Sequence, residues 1–269
     1  MKRLSHIYRI LNVLSVDVAF GAACGAIFFF HLLGAKVNLA SIFLLSGAVW
    51  VIYTTDHLFD AFRLQGPAIT ERHSFHQRHF WQLIAAIVIV IAVMTPLLFL
   101  IEREVLLAGM IMTISVIIYL MISNKIGGLK ELLIAALYCI GISIPANTYA
   151  QYSAADILIL LQFFLVCLTN LCVFSIFETK EDKAHRFPSI ALFFGRRIAL
   201  VISSGLLLLN AVIAVMSDRP NFSMILLFMG ACHVLMLAYE KRLREGSRYR
   251  LLGDALFFTP IVTLWLPQP

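Results

Sequence analysis

Charge is what this chain has least of. Of its 269 residues only 13% are Asp, Glu, Lys or Arg, against 61% hydrophobic. A water-soluble domain of that length needs far more polar side chains to cover its surface, so the composition excludes one and makes lipid the solvent. Cysteine excludes disulfide scaffolds and thiolate metal sites: Cys24, Cys139, Cys167, Cys172 and Cys232 sit singly in apolar stretches with no CxxC pair. They read as small buried residues. Internal repeats and low-complexity linkers are also missing, so residues 1–269 read as one domain. The N-terminus superficially resembles a signal peptide, but the apolar run behind Lys2, Arg3 and Arg9 extends from about Ile10 to Leu33, long for a cleaved segment, and is better read as a first span that stays.

What is present is a series of long apolar runs. On the ruler of about 20 residues per crossing, nine candidate spans emerge: 10–33, 39–62, 81–101, 104–123, 130–151, 156–178, 197–216, 221–240 and 251–267. In hydrocarbon only a helix satisfies so much backbone internally. The expected fold is an all-α integral membrane protein with nine transmembrane helices in a single bundle. Glu102-Arg103-Glu104 predicts a tight hairpin, and Pro96, Pro145 and Pro260 predict kinks. Eighteen of the 21 Lys and Arg fall on the N-terminal side of this topology; only Lys36, Arg103 and Arg219 fall on the other. That bias predicts a cytoplasmic N-terminus and a C-terminus outside. It also accounts for the net charge of +6 without a nucleic-acid partner.

Acidic residues are scarce, so their placement is informative. The second span ends in Asp56-His57-Leu58-Phe59-Asp60, and the sixth in Glu178-Thr179-Lys180-Glu181-Asp182. Each gives two carboxylates four residues apart, on one helix face. Both spans run towards the cytoplasm, which sets these like charges at the negative ends of helix dipoles and beside hydrocarbon. A divalent cation removes the conflict: Mg²⁺ takes hard oxygen ligands and is commonly shared between carboxylates and substrate phosphates. Basic loops flank both motifs, 63–80 with Arg63, Arg72 and Arg78, and 179–197 with Lys180, Lys183, Arg186, Arg196 and Arg197. They suit a diphosphate leaving group, although the topology rule alone would place basic residues there.

With these motifs after the second and sixth helices, the chain resembles the UbiA superfamily of membrane prenyltransferases. That family's first motif, NxxxDxxxD, aligns with Ile52, Asp56 and Asp60, and its second, DxxxD, with Glu178 and Asp182; Pro188 and Gly195-Arg196 follow. The stretch Gly128 to Leu132, with Gly141 beyond it, is similar to the start of the fifth helix in menaquinone-type members. Three positions depart: Ile52 for Asn, Glu178 for Asp, and Arg72-His73 for the usual Arg-Pro. The resemblance implies Mg²⁺-dependent transfer of an isoprenoid from a polyprenyl diphosphate to a lipophilic, commonly aromatic acceptor, in an active site facing the cytoplasm. It implies Asp56, Asp60, Glu178 and Asp182 as metal ligands, and Arg72, Lys130, Lys183 and Arg186 as diphosphate contacts. His57, Glu181 and Lys125 are secondary candidates.

Other signals are weaker. His73, His76 and His79 recur every third residue; a wet interfacial loop is the expectation, a metal stripe the alternative. His57 reads equally as a proton carrier or as a partner of the ligands. Asn12, Asp17 and Asn147 are polar residues at or within spans, which marks a cavity or an ordinary interhelical hydrogen bond. Two rival readings use the same residues. A small-solute or ion carrier would set its carboxylates near the midplane on broken helices, not at helix ends, and a non-catalytic relative is favoured by Ile52. The longer Asp-Gly and Ala-Arg signature of CDP-alcohol phosphotransferases is absent.

Overall fold

Apolar runs of this length leave the backbone no partner but itself, and in the computed structural model helix is the only regular secondary structure among the described residues, which are 2–266 apart from 65, 69, 124, 148–151 and 186. Seven helices are long and apolar enough to cross a membrane. They are α3 (Leu39–Arg63), α5 (Phe80–Met94, continued as a 3-10 turn to Leu100), α6 (Arg103–Ile122), α7 (Lys130–Asn147), α8 (Ala154–His185), α10 (Arg196–Met216) and α11 (Pro220–Ala238). Short helices join them: α1 (Lys2–Val13), α4 (Glu71–Arg78), α9 (Ile190–Phe193), α12 (Glu240–Arg244) and α13 (Arg248–Leu256). The remaining long element, α2 (Val16–Leu32), lies at 82° to the end of α1.

That bend corrects the first expected span. Residues 10–15 do not continue into α2; the chain breaks at Ser15, which takes a left-handed φ of 55°. The break leaves Leu14 with a free carbonyl, which Trp50 Nε1 satisfies at 2.9 Å. The ninth expected span is also not one helix. α13 ends at Leu256, and a 3-10 turn, Thr259–Trp265, follows with Pro260 in its first turn. Pro96 likewise opens the 3-10 end of the α5 span, whereas Pro145 is accommodated inside α7. Only Ile101 and Glu102 separate the α5 span from α6, as the hairpin reading requires.

Helix α8 is the hub, packed on α7, α10 and α11, while α2 packs on α3, α7 and the C-terminal turn. Phe28, Phe29 and Phe30 of α2 point in three directions and are all fully buried; the C-terminal half of α2 is therefore enclosed on every side, while Val16 and Phe20 near its start are exposed. In contrast, α5 buries Leu83 alone, and its Val88, Ile89 and Val93 face outwards, where lipid is their solvent. Polar side chains lock the hub. Gln162 donates to Asn210 Oδ1 at 2.7 Å and accepts from Ser223 Oγ at 2.7 Å, while Asn210 Nδ2 donates to the Leu226 carbonyl at 3.2 Å. Each such bond between helices contributes about 0.6 kcal/mol in a bilayer.

One glycine sets how closely α13 approaches α8. A methyl group on Gly253 would lie 2.5 Å from the Phe174 ring and 2.7 Å from Asn170 Oδ1. Gly253→Ala is therefore expected to cost about 1–3 kcal/mol through overpacking, read as a lowered melting temperature of the detergent-solubilised protein.

Candidate active-site cavity

The last turns of α3 and of α8 line one cavity. Thirty-two residues long, α8 outruns its apolar stretch and stops only before Pro188, since the residue preceding a proline leaves helical geometry. The chain then returns across the end of α8, pinned where the α9 N–H groups need acceptors. Glu131 Oε1 accepts from Ile190 N at 2.7 Å, and Ser175 Oγ from Ala191 N at 2.8 Å. On the opposite side Thr70 caps α4, accepting from His73 N at 3.3 Å. These walls enclose a cavity of about 250 Å³ into which α3, α4, α7, α8 and α13 all contribute.

Asp56, His57 and Asp60 line it from α3, Glu178, Glu181 and Asp182 from α8, Arg72 and His73 from α4, and Lys130 from the start of α7. Asp60 is buried, whereas Asp56 and Asp182 are half-buried. Among the described residues no Lys or Arg nitrogen stands within ion-pair distance of these three aspartates. Glu178 differs. Arg250 of α13 grips both its oxygens, with Nη2 at 2.5 Å from Oε2, and Tyr249 donates its hydroxyl at 2.8 Å. Its carboxylate already has a counter-charge.

Arg72 reaches into the bundle through a buried polar network. It donates to the Asn12 carbonyl at 3.0 Å and to Asn12 Oδ1 at 3.2 Å. Asn12 in turn donates to Asp17 at 2.5 Å and to Asp254 at 2.7 Å, and Arg72 stands 3.8 Å from Asp254. The break at Ser15 thus presents its polar residues to α4 and α13. Asn12 and Asp17 belong to an interhelical hydrogen-bond network at the cavity wall, while Asn147 ends α7 exposed.

Of the sequence-derived candidates, the structure brings together Asp56, Asp60, Glu178, Asp182, Arg72, Lys130, His57 and Glu181. Lys125 and Lys183 are exposed and off the cavity, and Arg186 lies outside the described residues. Ile52 lines a second, apolar cavity of about 660 Å³ between α3, α6 and α7, and Tyr53, Ile134 and Tyr138 border both. The wet-loop expectation for the histidines is corrected. Residues 71–78 form a helix, and Arg72 and His76, four apart, bury one face of it against α1 and α3. His76 has no exposure at all. Sequence reasoning missed Arg250, Tyr249 and Asp254. Asp254 was within reach, being the one acid in the last apolar run; nothing local marks Arg250 among its basic neighbours.

Burial, reinforced by Arg250, holds His73 down from 6.5 to about 3. The unfolded chain takes up a proton below 6.5 that the folded one refuses until about 3, so this contribution to stability is complete above 6.5 and is lost as pH falls between the two. In chelator, the melting temperature of the wild type is expected to fall more steeply than that of His73→Gln from pH 7 to 5.

The fold and the cavity together define a helical membrane protein with a polar, carboxylate-rich mouth opening on an apolar chamber. The same fold occurs in solved UbiA homologues. The structure of one from Archaeoglobus fulgidus, bound to DMAPP and Mg²⁺, superposes with a TM-score of 0.64 at 14% identity, over 96% of this chain and 99% of that one. An apo UbiA homologue from Aeropyrum pernix K1 gives 0.62 at 16%, over 93% and 98%. A digeranylgeranylglyceryl phosphate synthase gives 0.58 at 14%, over 99% and 100%. No family model and no curated protein matches the sequence.

Proposed function

We propose that this chain is a divergent UbiA-type prenyltransferase that binds a prenyl diphosphate in the carboxylate cavity and transfers its isoprenoid to a lipophilic acceptor. The observation that carries this reading is the joining of two unlike cavities. Three aspartates that form no ion pair among the described residues line the mouth, and across Tyr53, Ile134 and Tyr138 lies a chamber lined almost wholly by apolar side chains. An amphiphile with an anionic, metal-chelating head and a hydrocarbon tail matches both halves. A UbiA homologue of the same fold binds DMAPP and Mg²⁺, which supports the choice of ligand.

The donor set fits Mg²⁺: Asp56, Asp60 and Asp182 offer hard oxygens, and Glu181 Oε2 is buried with no hydrogen-bond partner. Bound there, the ion would supply charge neutralisation for the departing diphosphate. Arg72, Lys130 and Arg250 would hold the diphosphate oxygens. Tyr53, Ile134 and Tyr138, at the junction, would keep water from the allylic carbon while the acceptor approaches. Helix α8 would reach the cytoplasmic face at its C-terminal end, with the N-terminus on the same side.

A second reading, binding without transfer, is favoured by the Glu178–Arg250 pair, which removes one carboxylate from the second motif. Purified protein incubated with Mg²⁺, a panel of prenyl diphosphates and membrane lipid extract separates the two. Prenylated product by mass spectrometry, lost in Asp56→Asn and Asp182→Asn, supports transfer. Saturable binding with no product supports the second reading, and no binding of any prenyl diphosphate refutes both.

A further inference from the structure

We propose that His57, Asp60 and His73 form a divalent-metal site of mixed nitrogen and oxygen donors, suited to a transition ion such as Zn²⁺, Mn²⁺, Co²⁺ or Fe²⁺ in preference to Mg²⁺. One ligand atom from each of the three lies within 4.8 Å of the other two. Donors at about 2.0–2.2 Å from a common ion stand up to about 4.4 Å apart, so small side-chain rotations close the set. Two elements supply it. His57 and Asp60 are three apart on one face of α3, and His73 comes from α4.

Neighbouring side chains hold both rings in place. Thr70 Oγ1 stands 2.8 Å from His73 Nδ1; in the tautomer protonated at Nδ1 it accepts that N–H and the Nε2 lone pair is free, the arrangement by which an outer hydrogen bond fixes a ligating imidazole. Arg72 Nη1 lies 3.2 Å from His57 Nε2. A guanidinium can only donate, so this nitrogen presents its lone pair to a cation. The opposite nitrogen, Nδ1, is buried without a partner. A metal ion at Nε2 would therefore disturb no other hydrogen bond of the ring, and it requires the Arg72 guanidinium, whose Nη2 bonds Asn12, to swing away from His57. Imidazole is a poor ligand for Mg²⁺ and a good one for first-row transition ions. The link to prenyl transfer rests on the function proposed above, whereas the metal site rests on this geometry alone.

The test uses the full chain in lipid nanodiscs, stripped by a chelator and titrated with Co²⁺. One ion per chain is expected, with visible ligand-field bands. Equimolar Zn²⁺ should displace it and a 100-fold excess of Mg²⁺, roughly, should not. His73→Gln should weaken Co²⁺ binding at least about 10-fold, while His79→Gln, outside the cluster, leaves it unchanged. Zn-edge X-ray absorption of the wild type gives a readout independent of any variant: imidazole scattering is expected. Oxygen-only scattering, or Co²⁺ binding unaltered in folded His73→Gln, would overturn the proposal. Prenyl transfer with Mg²⁺ in a protein lacking imidazole ligation would leave the proposed function standing; imidazole ligation without transfer would do the reverse.

Discussion

Asp60→Asn is expected to lower the release of diphosphate from a prenyl diphosphate by about 10²–10³-fold, and yet to leave the melting temperature in chelator unchanged or raised. The two effects move in opposite directions for one physical reason. Asp56 and Asp60 lie four residues apart near the C-terminal end of α3. Like charges at that spacing repel by about 0.2–0.5 kcal/mol. At Asp60, in the last turn, the negative end of the helix dipole adds about 0.3–1 kcal/mol. Among the described residues no Lys or Arg forms an ion pair with either aspartate. Without a bound cation, then, both are electrostatic liabilities that neutralisation relieves. Binding a metal–diphosphate head is what makes them favourable. Asp56→Asn should behave alike. Activity and stability falling together would assign these residues to the fold, and unchanged diphosphate release would remove them from the chemistry.

How far the sequence reveals this arrangement depends on the reach of the forces involved. Hydropathy over about 20 residues is a local property, so the seven long spans and the hairpin at Glu102 were legible. The break at Ser15 was not, because an apolar run extends across it and only Asn12 and Asp17 hint at a buried polar joint. The last run failed similarly: Phe257 and Phe258 are as hydrophobic as their neighbours, and the turn there is a matter of packing on α2. At the site, four-residue spacing identified Asp56, Asp60 and Asp182, since i,i+4 carboxylates share a face whatever else packs nearby. Whether a carboxylate is free or paired is a tertiary question. Glu178 has the same spacing from Asp182 as Asp56 has from Asp60, and the residue that distinguishes them, Arg250, arrives from 72 positions away. The histidines show the same limit, as a three-residue recurrence cannot reveal that His73 meets His57 of another helix.

That difference between the two motifs gives the second large effect. Arg250→Met is expected to destabilise the protein by about 3 kcal/mol, because it leaves Glu178, whose side chain is only 14% exposed, without its counter-charge. The Arg250 side chain also stands over the Phe174 ring at 5.4 Å, and the methionine retains that apolar contact, so the loss reports the charge. Glu178→Gln combined with Arg250→Met should recover most of the stability, since removing both charges removes the uncompensated one. Binding distinguishes the roles further. If Glu178 serves to hold Arg250, Glu178→Gln keeps prenyl diphosphate affinity within a few-fold and frees the guanidinium for the phosphate oxygens. Asp182→Asn, with no ion pair among the described residues to release, should lose that affinity. Equal losses in Glu178→Gln and Asp182→Asn would show that both carboxylates of the second motif take part in holding the metal, and that Arg250 moves aside when the diphosphate binds.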